Sequence, residues 1–460
     1  MQDADYRSQS FWHDTVPGSL DPRPSLASDE QVDVAIVGAG FTGLWTAYYL
    51  KSLEPGIRVA VVEAEVAGFG ASGRNGGWCV GTLAGIEGQL ADPQSRDDAI
   101  RLQRAMFDTV DEVGGVCERE AIDCHWAKGG YVCLATSEIY QRSLQADEDY
   151  WRDLGFGEEE VRWLGPEECA ARIRVSRNLG GLFMSACAAM HPARLVRGLA
   201  EAVERRGVTI YERSPATALE PGCVVTPGGR LRADTVVRAT EGYTRSLPGH
   251  ERKLIPVHSM MIATEPLPEA MWKEIGMANR ETLGDPRRMV TYGQRTADDR
   301  IAFGCRGSYF YGSEVHDRFR PDDAAFRIVE ETLQSLLPVV RECRITHRWA
   351  GALGIPRDWR PSVGVDRESR LAWAGGYVGE GVAASNLAGR TLADLLLERD
   401  SELTSLPLVG PPFPSWEPEP LRWLGVFAVR KLGEALDAAE LQDRPAPRLR
   451  RAIFEAFVRK

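Results

Sequence analysis

The chain has 460 residues, 43% of them hydrophobic and 26% charged, with a formal net charge of −11. That length corresponds to about three domain-sized units and is ample for a large buried core. An acidic chain repels phosphate backbones, which argues against nucleic acid as a partner, and no run approaches the ~18 apolar residues of a transmembrane segment.

Residues 1–31 are expected to form a polar N-terminal arm without an apolar signal core, ending in Asp21-Pro22-Arg23-Pro24. Residues 32–37 (Val-Asp-Val-Ala-Ile-Val) read as a short apolar strand. Gly38-Ala39-Gly40-Phe41-Thr42-Gly43 follows, then a helical pattern over 44–53 that Pro55-Gly56 breaks. A second strand over 57–62 ends on Glu63. Strand, glycine turn, helix, strand and terminal acid together make the βαβ dinucleotide fingerprint. In it Gly38 permits the tight turn, Gly40 lets the backbone approach a pyrophosphate, and Gly43 lets the helix pack on the sheet. The helix N-terminus offers N–H groups to phosphate, and Glu63 offers a carboxylate to the ribose hydroxyls.

The run from Ala67 to Cys79 holds a second glycine-dense loop, Gly70-Ala71-Ser72-Gly73-Arg74-Asn75-Gly76-Gly77. A nicotinamide domain would pass into its next βα unit at this point. A second small-residue loop instead fits FAD, a cofactor that extends further, with Arg74 available to neutralise the diphosphate.

Residues 96–180 are helix-rich and charged, and they carry Trp126, Trp151 and Trp163. Residues 194–206 place Leu195, Val196, Leu199 and Val203 at helical spacing, and Gly207 ends that helix before a strand at 208–211. Residues 224–232 read as a hairpin with Pro227-Gly228-Gly229 at its tip, and 235–239 as a buried strand. The strand 300–307 leads to Tyr309-Phe310-Tyr311. Gly375 to Val382 is a glycine-rich loop opening a helix over 384–397. After Pro411-Pro412-Phe413-Pro414, residues 419–440 read as an amphipathic helix, able to touch a membrane surface but read first as docked on the enzyme's own body or as a dimer contact.

The nine cysteines are scattered with no C-x-x-C pair, which leaves no zinc or thioredoxin-like motif; dispersed thiols in a large acidic chain point to the cytoplasm. No H-E-x-x-H or G-x-S-x-G occurs either.

These motifs resemble the D-amino acid oxidase superfamily of FAD oxidoreductases, and within it the γ-glutamylputrescine oxidase-like branch. The resemblance rests on Ala35 to Ala47, Gly68 to Gly77, His191-Pro192-Ala193-Arg194-Leu195, Val236 to Tyr243, Pro256 to Leu267 and Ala374 to Val382, in that order. It implies an α/β fold: a Rossmann-type, glutathione-reductase-like FAD-binding domain interleaved with an α+β substrate domain. The expected boundaries are 32–95, 191–255 and 348–405 for the FAD-binding parts, 96–190 and 256–347 for the substrate domain, and 406–460 for a helical tail. Carried onto this sequence, the FAD contacts are Gly38, Gly40, Phe41, Thr42, Gly43, Glu63, Ala64, Gly70, Ala71, Ser72, Arg74, Asn75, Gly76, Gly77, Ala216, Ala239, Thr240, Gly376, Gly379, Gly381 and Val382.

The resemblance further implies oxidation of a C–N bond in a small amine or amino acid. Hydride passes to flavin N5, and the imine hydrolyses to a carbonyl product and an amine or ammonia. Such chemistry asks for positioning and a dry site rather than a triad. Arg306 is read as a clamp for an anionic group or as a structural ion pair, His258 as a site residue or a core histidine, and Trp78 as a cavity wall or core. Tyr377 and Glu380 lie in the flavin loop. Relatives with covalent FAD use a cysteine near the late flavin loop or a histidine after the second glycine loop. Residues 353–359 contain no cysteine and Asn75 stands near the histidine's place, so the FAD is expected to be noncovalent. Oxygen or another acceptor reoxidises it, and an oligomer is compatible with the sequence. The alternatives are a flavin hydroxylase, for which Gly379-Glu380-Gly381 lacks the expected Gly-Asp pair, and a non-catalytic flavoprotein.

Overall fold

All four residues of the strand Val34–Val37 are buried, as a strand covered on both faces requires. In a computed structural model, which describes residues 2–458 with the side chains at 87, 88 and 306 excepted, this strand is central to a six-stranded sheet. The order is Ser362–Asp366, Leu371–Gly375, Thr235–Arg238, Val34–Val37, Val59–Val62, Thr209–Tyr211. Every pairing is parallel except that of Ser362–Asp366 with its neighbour. Val37 sits opposite Val62 and Arg238, so the turns after these three strands open on one edge of the sheet, where ligands bind in doubly wound folds.

The helices Phe41–Leu53 and Gly381–Leu396 pack on each other so closely that a Cβ at Gly389 would lie 2.6 Å from Trp45 Cβ. The helix Arg96–Arg119 packs on Gly381–Leu396, and its Leu102, Met106 and Val110 lie in one core that holds Leu44 and Leu387 and also Leu182 and Met184.

The substrate unit is one eight-stranded sheet. Its order is Ile345–Ile355, Ile255–Thr264, Ile301–Ser308, Thr291–Arg295, Thr282–Gly284, Tyr131–Leu134, Gly181–Met184, Val161–Leu164. The two sequence segments of this unit join where Thr282–Gly284 pairs in parallel with Tyr131–Leu134. Ile345–Ile355 pairs with Ile255–Thr264 along its whole length, which carries the roof past the boundary expected at 347. The hairpin expected at 224–232 is present as Cys223–Thr226 against Gly229–Arg232.

Two termini differ from the sequence reading. The N-terminal arm is not simply polar: Tyr6, Phe11, Trp12 and Leu20 are buried and pack with Val66, Phe69 and Trp349. Its two short helices, Asp3–Arg7 and Phe11–Thr15, are too brief to show an apolar period. The tail contains the expected helix, Leu421–Glu440, and also a second one, Arg448–Val458. Among the described residues no helix is long and apolar enough to cross a membrane, and no group of His, Cys, Asp and Glu is arranged to hold a metal ion.

Candidate active site

Three hollows run end to end from the sheet edge to the roof. The first is a groove of about 310 Å³ lined by Gly38, Gly40, Phe41, Thr42, Glu63, Ala64, Gly70, Ala71, Ser72, Ala216, Ala239 and Thr240. The second is a neck of about 60 Å³ lined by Phe41, Thr42, Ala71, Ser72, Asn75, Tyr377, Gly379, Gly381 and Val382. The third is a cavity of about 400 Å³ under the roof. Ala71 borders all three, and Asn75, Gly379 and Val382 border both neck and cavity.

The groove is built by backbone. Gly38 has φ +107°, and a Cβ there would lie 2.6 Å from the Ala239 carbonyl oxygen. At Gly43 a Cβ would lie 2.0 Å from the Gly38 oxygen and 3.0 Å from Ile36 Cγ2, so only glycine lets the helix seat on the strand. The Phe41 N–H donates to Ser72 Oγ at 2.8 Å, which ties the second glycine loop to the helix N-terminus. Glu63 accepts the N–H of Ala39 at 2.8 Å and of Glu65 at 3.1 Å. Burial pushes its carboxyl up to about 7, against the lowering by those two donors.

Glu241, which sequence reasoning did not single out as a site residue, holds the neck together. At φ +39° it accepts N–H groups from Gly354 at 2.8 Å and Gly376 at 2.6 Å. These donors come from the end of the roof strand and from the flavin loop, so one carboxylate joins the two units. Burial raises it to about 7 as well. Tyr377 is buried, with its hydroxyl 3.1 Å from Thr42 Oγ1, and links the loop to the first helix.

The cavity is walled by aromatic rings. Trp78 stacks on Tyr292 with centroids 5.9 Å apart and planes at 25°, and meets Tyr131 edge-on at 5.0 Å. The Tyr292 hydroxyl is hydrogen-bonded to Ser259 Oγ. Asp358, Arg360 and Glu380 add charge to the lining, and Thr82 donates to Glu380 Oε1 at 2.8 Å. Tyr131 and Tyr292 lie in strands with no distinguishing local motif, and only strand pairing brings them to Trp78.

The remaining expected site residues divide between the hollows and the surrounding packing. Arg74 does not line the groove. The residue borders the roof cavity, while its guanidinium pairs with Asp317 at 3.2 Å and lies 4.3 Å over the Phe69 ring, two residues of the groove lining. Asn75 shapes its own loop, donating to Ala71 and Ser72 carbonyls and accepting from Gly77 N–H. Gly76 lines the cavity; Gly77, at φ +73°, is covered by the Gln294 amide instead, and Gly376 packs against Phe413 and Pro356. His258 is buried among Phe310, His316 and Phe319, accepts the His316 N–H at 3.0 Å, and borders none of the three hollows. The strand bearing Arg306 pairs with Ile255–Thr264, but the Arg306 side chain lies outside the described residues.

FAD fits this run of hollows. The groove offers an unclashed backbone cradle at Gly38 and Gly40 and a carboxylate held near neutrality at the strand end. The neck offers the first N–H groups of the helix Gly381–Leu396, which have no partner within the helix.

Known proteins agree with this reading. Residues 33–395 match the model of a family described as DAO, FAD dependent oxidoreductase. A probable oxidoreductase OrdL of Haemophilus influenzae is 31% identical over 392 residues, 83% of this chain and 86% of that one. Gamma-glutamylputrescine oxidoreductase of Escherichia coli is 29% identical over 401 residues, 85% and 90% of the two chains. The second bears the name of the branch expected from the motifs. In fold, glycine oxidase from Geobacillus kaustophilus superposes with a TM-score of 0.66 at 21% identity, covering 82% of this chain and 98% of its own.

Proposed function

The chain belongs to the DAO family of FAD-dependent oxidoreductases, and on that premise we propose that it oxidises the C–N bond of a small amine or amino acid. The substrate sits in the 400 Å³ cavity, a volume suited to a small molecule. The relatives named for gamma-glutamylputrescine and glycine support the substrate class. The observation that carries the reading is that the Gly38–Glu63 groove, the neck and a cavity walled by Trp78, Tyr131 and Tyr292 adjoin through shared lining residues.

Bound FAD supplies the hydride acceptor; the chain's own residues do the rest. Glu63 would receive the ribose hydroxyls, and the N-terminus of Phe41–Leu53 the diphosphate. The helix Gly381–Leu396 turns its positive end toward the neck and would stabilise negative charge on a cofactor held there. Trp78, Tyr131 and Tyr292 strip water from the amine, which favours its neutral form, and hold its α-carbon in place. Glu380 draws a cationic amine inward before that desolvation. Arg306 remains our candidate for an anionic group on the substrate, and the imine product is hydrolysed by water. His258 has no part in this scheme. The cofactor would be held without a covalent link: residues 353–359 offer no cysteine, Asn75 stands near the place of an attaching histidine, and the Cys79 thiol is fully buried, which raises it above its usual range. Nine free thiols accord with a cytoplasmic setting.

The test is anaerobic mixing of the holoenzyme with a panel of amines and amino acids. Bleaching of the yellow flavin band is expected with at least one, followed on admitting air by a peroxide assay that separates oxygen from another acceptor. A flavin that no compound bleaches overturns the reading. Yellow colour staying with an acid-precipitated pellet overturns the noncovalent assignment.

A further inference from the structure

The family match ends at residue 395, yet Val458, at the end of the last helix, lines the roof cavity beside Val290. The helices Leu421–Glu440 and Arg448–Val458 fold back on each other at two glycines. A Cβ at Gly425 would lie 3.4 Å from the Phe457 ring, and one at Gly433 would lie 3.1 Å from the Phe454 ring. This hairpin is bolted to the segment that carries Val290. Asp437 accepts the backbone N–H of Arg288 at 3.0 Å and of Met289 at 2.9 Å, together with the Arg288 guanidinium at 3.1 Å. Glu440 takes the same guanidinium through both oxygens, at 2.6 and 3.0 Å, and receives Arg451 of the last helix at 2.8 Å. The Arg288 guanidinium also lies 5.7 Å from the Phe454 ring. Asp437 and Glu440 are 4% and 3% exposed. A second bolt holds the hairpin from its turn: Asp443 accepts the Glu138 N–H at 2.6 Å and pairs with Arg177 at 2.7 Å.

Two features separate this arrangement from a tail that merely rests on the surface. The loop N–H groups just before Val290 find their acceptor in the tail, so the path of that loop depends on Asp437. The same hairpin delivers a side chain of its own, Val458, to the cavity lining. We propose that the C-terminal hairpin is a wall of the substrate cavity, with Asp437 and Glu440 as positioning residues that fix Val290 through Arg288. The tail thereby sets how long an amine the cavity admits. This rests on the cavity being the substrate chamber.

The test uses flavin-loaded full-length enzyme and two readouts. Iodide quenching of flavin fluorescence reports solvent entry to the cavity and needs no substrate. Anaerobic bleaching with linear primary amines of increasing length reports selectivity. Asp437→Ala is expected to raise the quenching constant severalfold and to flatten the dependence of KM on chain length, with kcat moving less than KM. Asp437→Asn keeps an acceptor for a backbone N–H and is expected to recover most of the wild-type profile. Val290→Trp and Val458→Trp are expected to act in the opposite sense, lowering quenching and excluding the longer amines; they decide the matter if Asp437→Ala does not fold. Unchanged quenching and an unchanged length profile in the folded variants, with only a lower Tm for Asp437→Ala, would overturn the proposal. If no amine bleaches the wild-type enzyme, the amine reading fails, and the iodide measurements still decide whether the hairpin is a cavity wall.

Discussion

The dinucleotide groove and the roof cavity meet at Ala71 and are built in different ways. The groove is centred on backbone N–H groups, glycines without room for a Cβ and the Glu63 carboxylate at a strand end, with Phe69, Tyr243 and Asp317 also in its lining. The cavity is made of side chains from elements far apart in sequence, with Trp78, Tyr131, Tyr292 and Glu380 supplied by four separate segments. A backbone site tolerates almost no substitution. A side-chain wall can be altered residue by residue while the enzyme stays folded.

The largest expected effect tests the groove. In Gly43→Ala the new Cβ would lie 2.0 Å from the Gly38 oxygen, a backbone atom that cannot swing aside. The helix must lift from the strand, at a cost of about 3 kcal/mol. The purified variant should carry little or no flavin, read as the ratio of flavin to protein absorbance. A variant with full flavin content would break the claim that backbone packing makes this site.

Next comes Glu63→Gln. Accepting hydroxyls at a charged carboxylate is worth about 1.5–3 kcal/mol, so FAD affinity should fall about tenfold or more above pH 7. The pH dependence is a sharper test. The folded apoprotein holds the Glu63 proton more tightly than the unfolded chain, near 7 against 4.5. Its stabilising contribution is therefore full below 4.5 and is lost as the pH rises through about 7, by at most about 3 kcal/mol. In wild type, affinity for FAD should rise through the same window as the carboxylate ionises; in Glu63→Gln it should be flat. Titration calorimetry at several pH values measures the affinity, and denaturant melts of the apoprotein measure the stability.

These two regions also differ in how much of them the sequence reveals. Gly38, Gly40, Gly43 and Glu63 lie within one local run whose spacing is dictated by a turn, a helix start and a strand end. Their roles follow from chain geometry, and every one of them borders or shapes the groove. The helices Gly381–Leu396 and Leu421–Glu440 and the hairpin at 223–232 were equally legible from period and turn residues. Tyr131 and Tyr292 were not, because nothing near either tyrosine marks it; they reach Trp78 only through the pairing of Tyr131–Leu134 and Thr291–Arg295 with Thr282–Gly284. Arg74 was legible as a basic residue of the glycine loop, but its partners were not: Asp317 and the Phe69 ring, both in the groove lining, meet its guanidinium only in the folded chain. The N-terminal arm hid Tyr6, Phe11 and Trp12 because helices of five residues show no period.

A smaller effect tests the cavity wall. Trp78→Phe keeps an aromatic face but shortens it against Tyr292. Such ring contacts are worth about 0.5–1.5 kcal/mol, so kcat/KM should fall up to about tenfold with flavin content unchanged. Tyr292→Phe removes the bond to Ser259 and should act in the same range. If either variant loses its flavin instead, groove and cavity are not separable.

The smallest expected effect on turnover is at His258, and it bounds the cavity from outside. This side chain is fully buried in an aromatic cluster, and burial lowers its imidazole to about 4, so it is neutral at working pH. Its Nε2 is the acceptor for the His316 N–H. In His258→Phe the ring packing remains while that N–H loses its partner, at a cost of about 1–3 kcal/mol of stability. The sign of the pH effect follows from a depressed basic group. Its contribution is present above the ordinary value of 6.5 and is lost as the pH falls through about 4, so the variant should lose less stability on acidification than wild type. Turnover should stay within about twofold, because His258 borders no part of the passage from groove to cavity. A drop in kcat/KM of about tenfold or more, with flavin retained and the Tm near wild type, would place His258 in the chemistry and move the edge of the reaction chamber beyond the Trp78–Tyr292 wall.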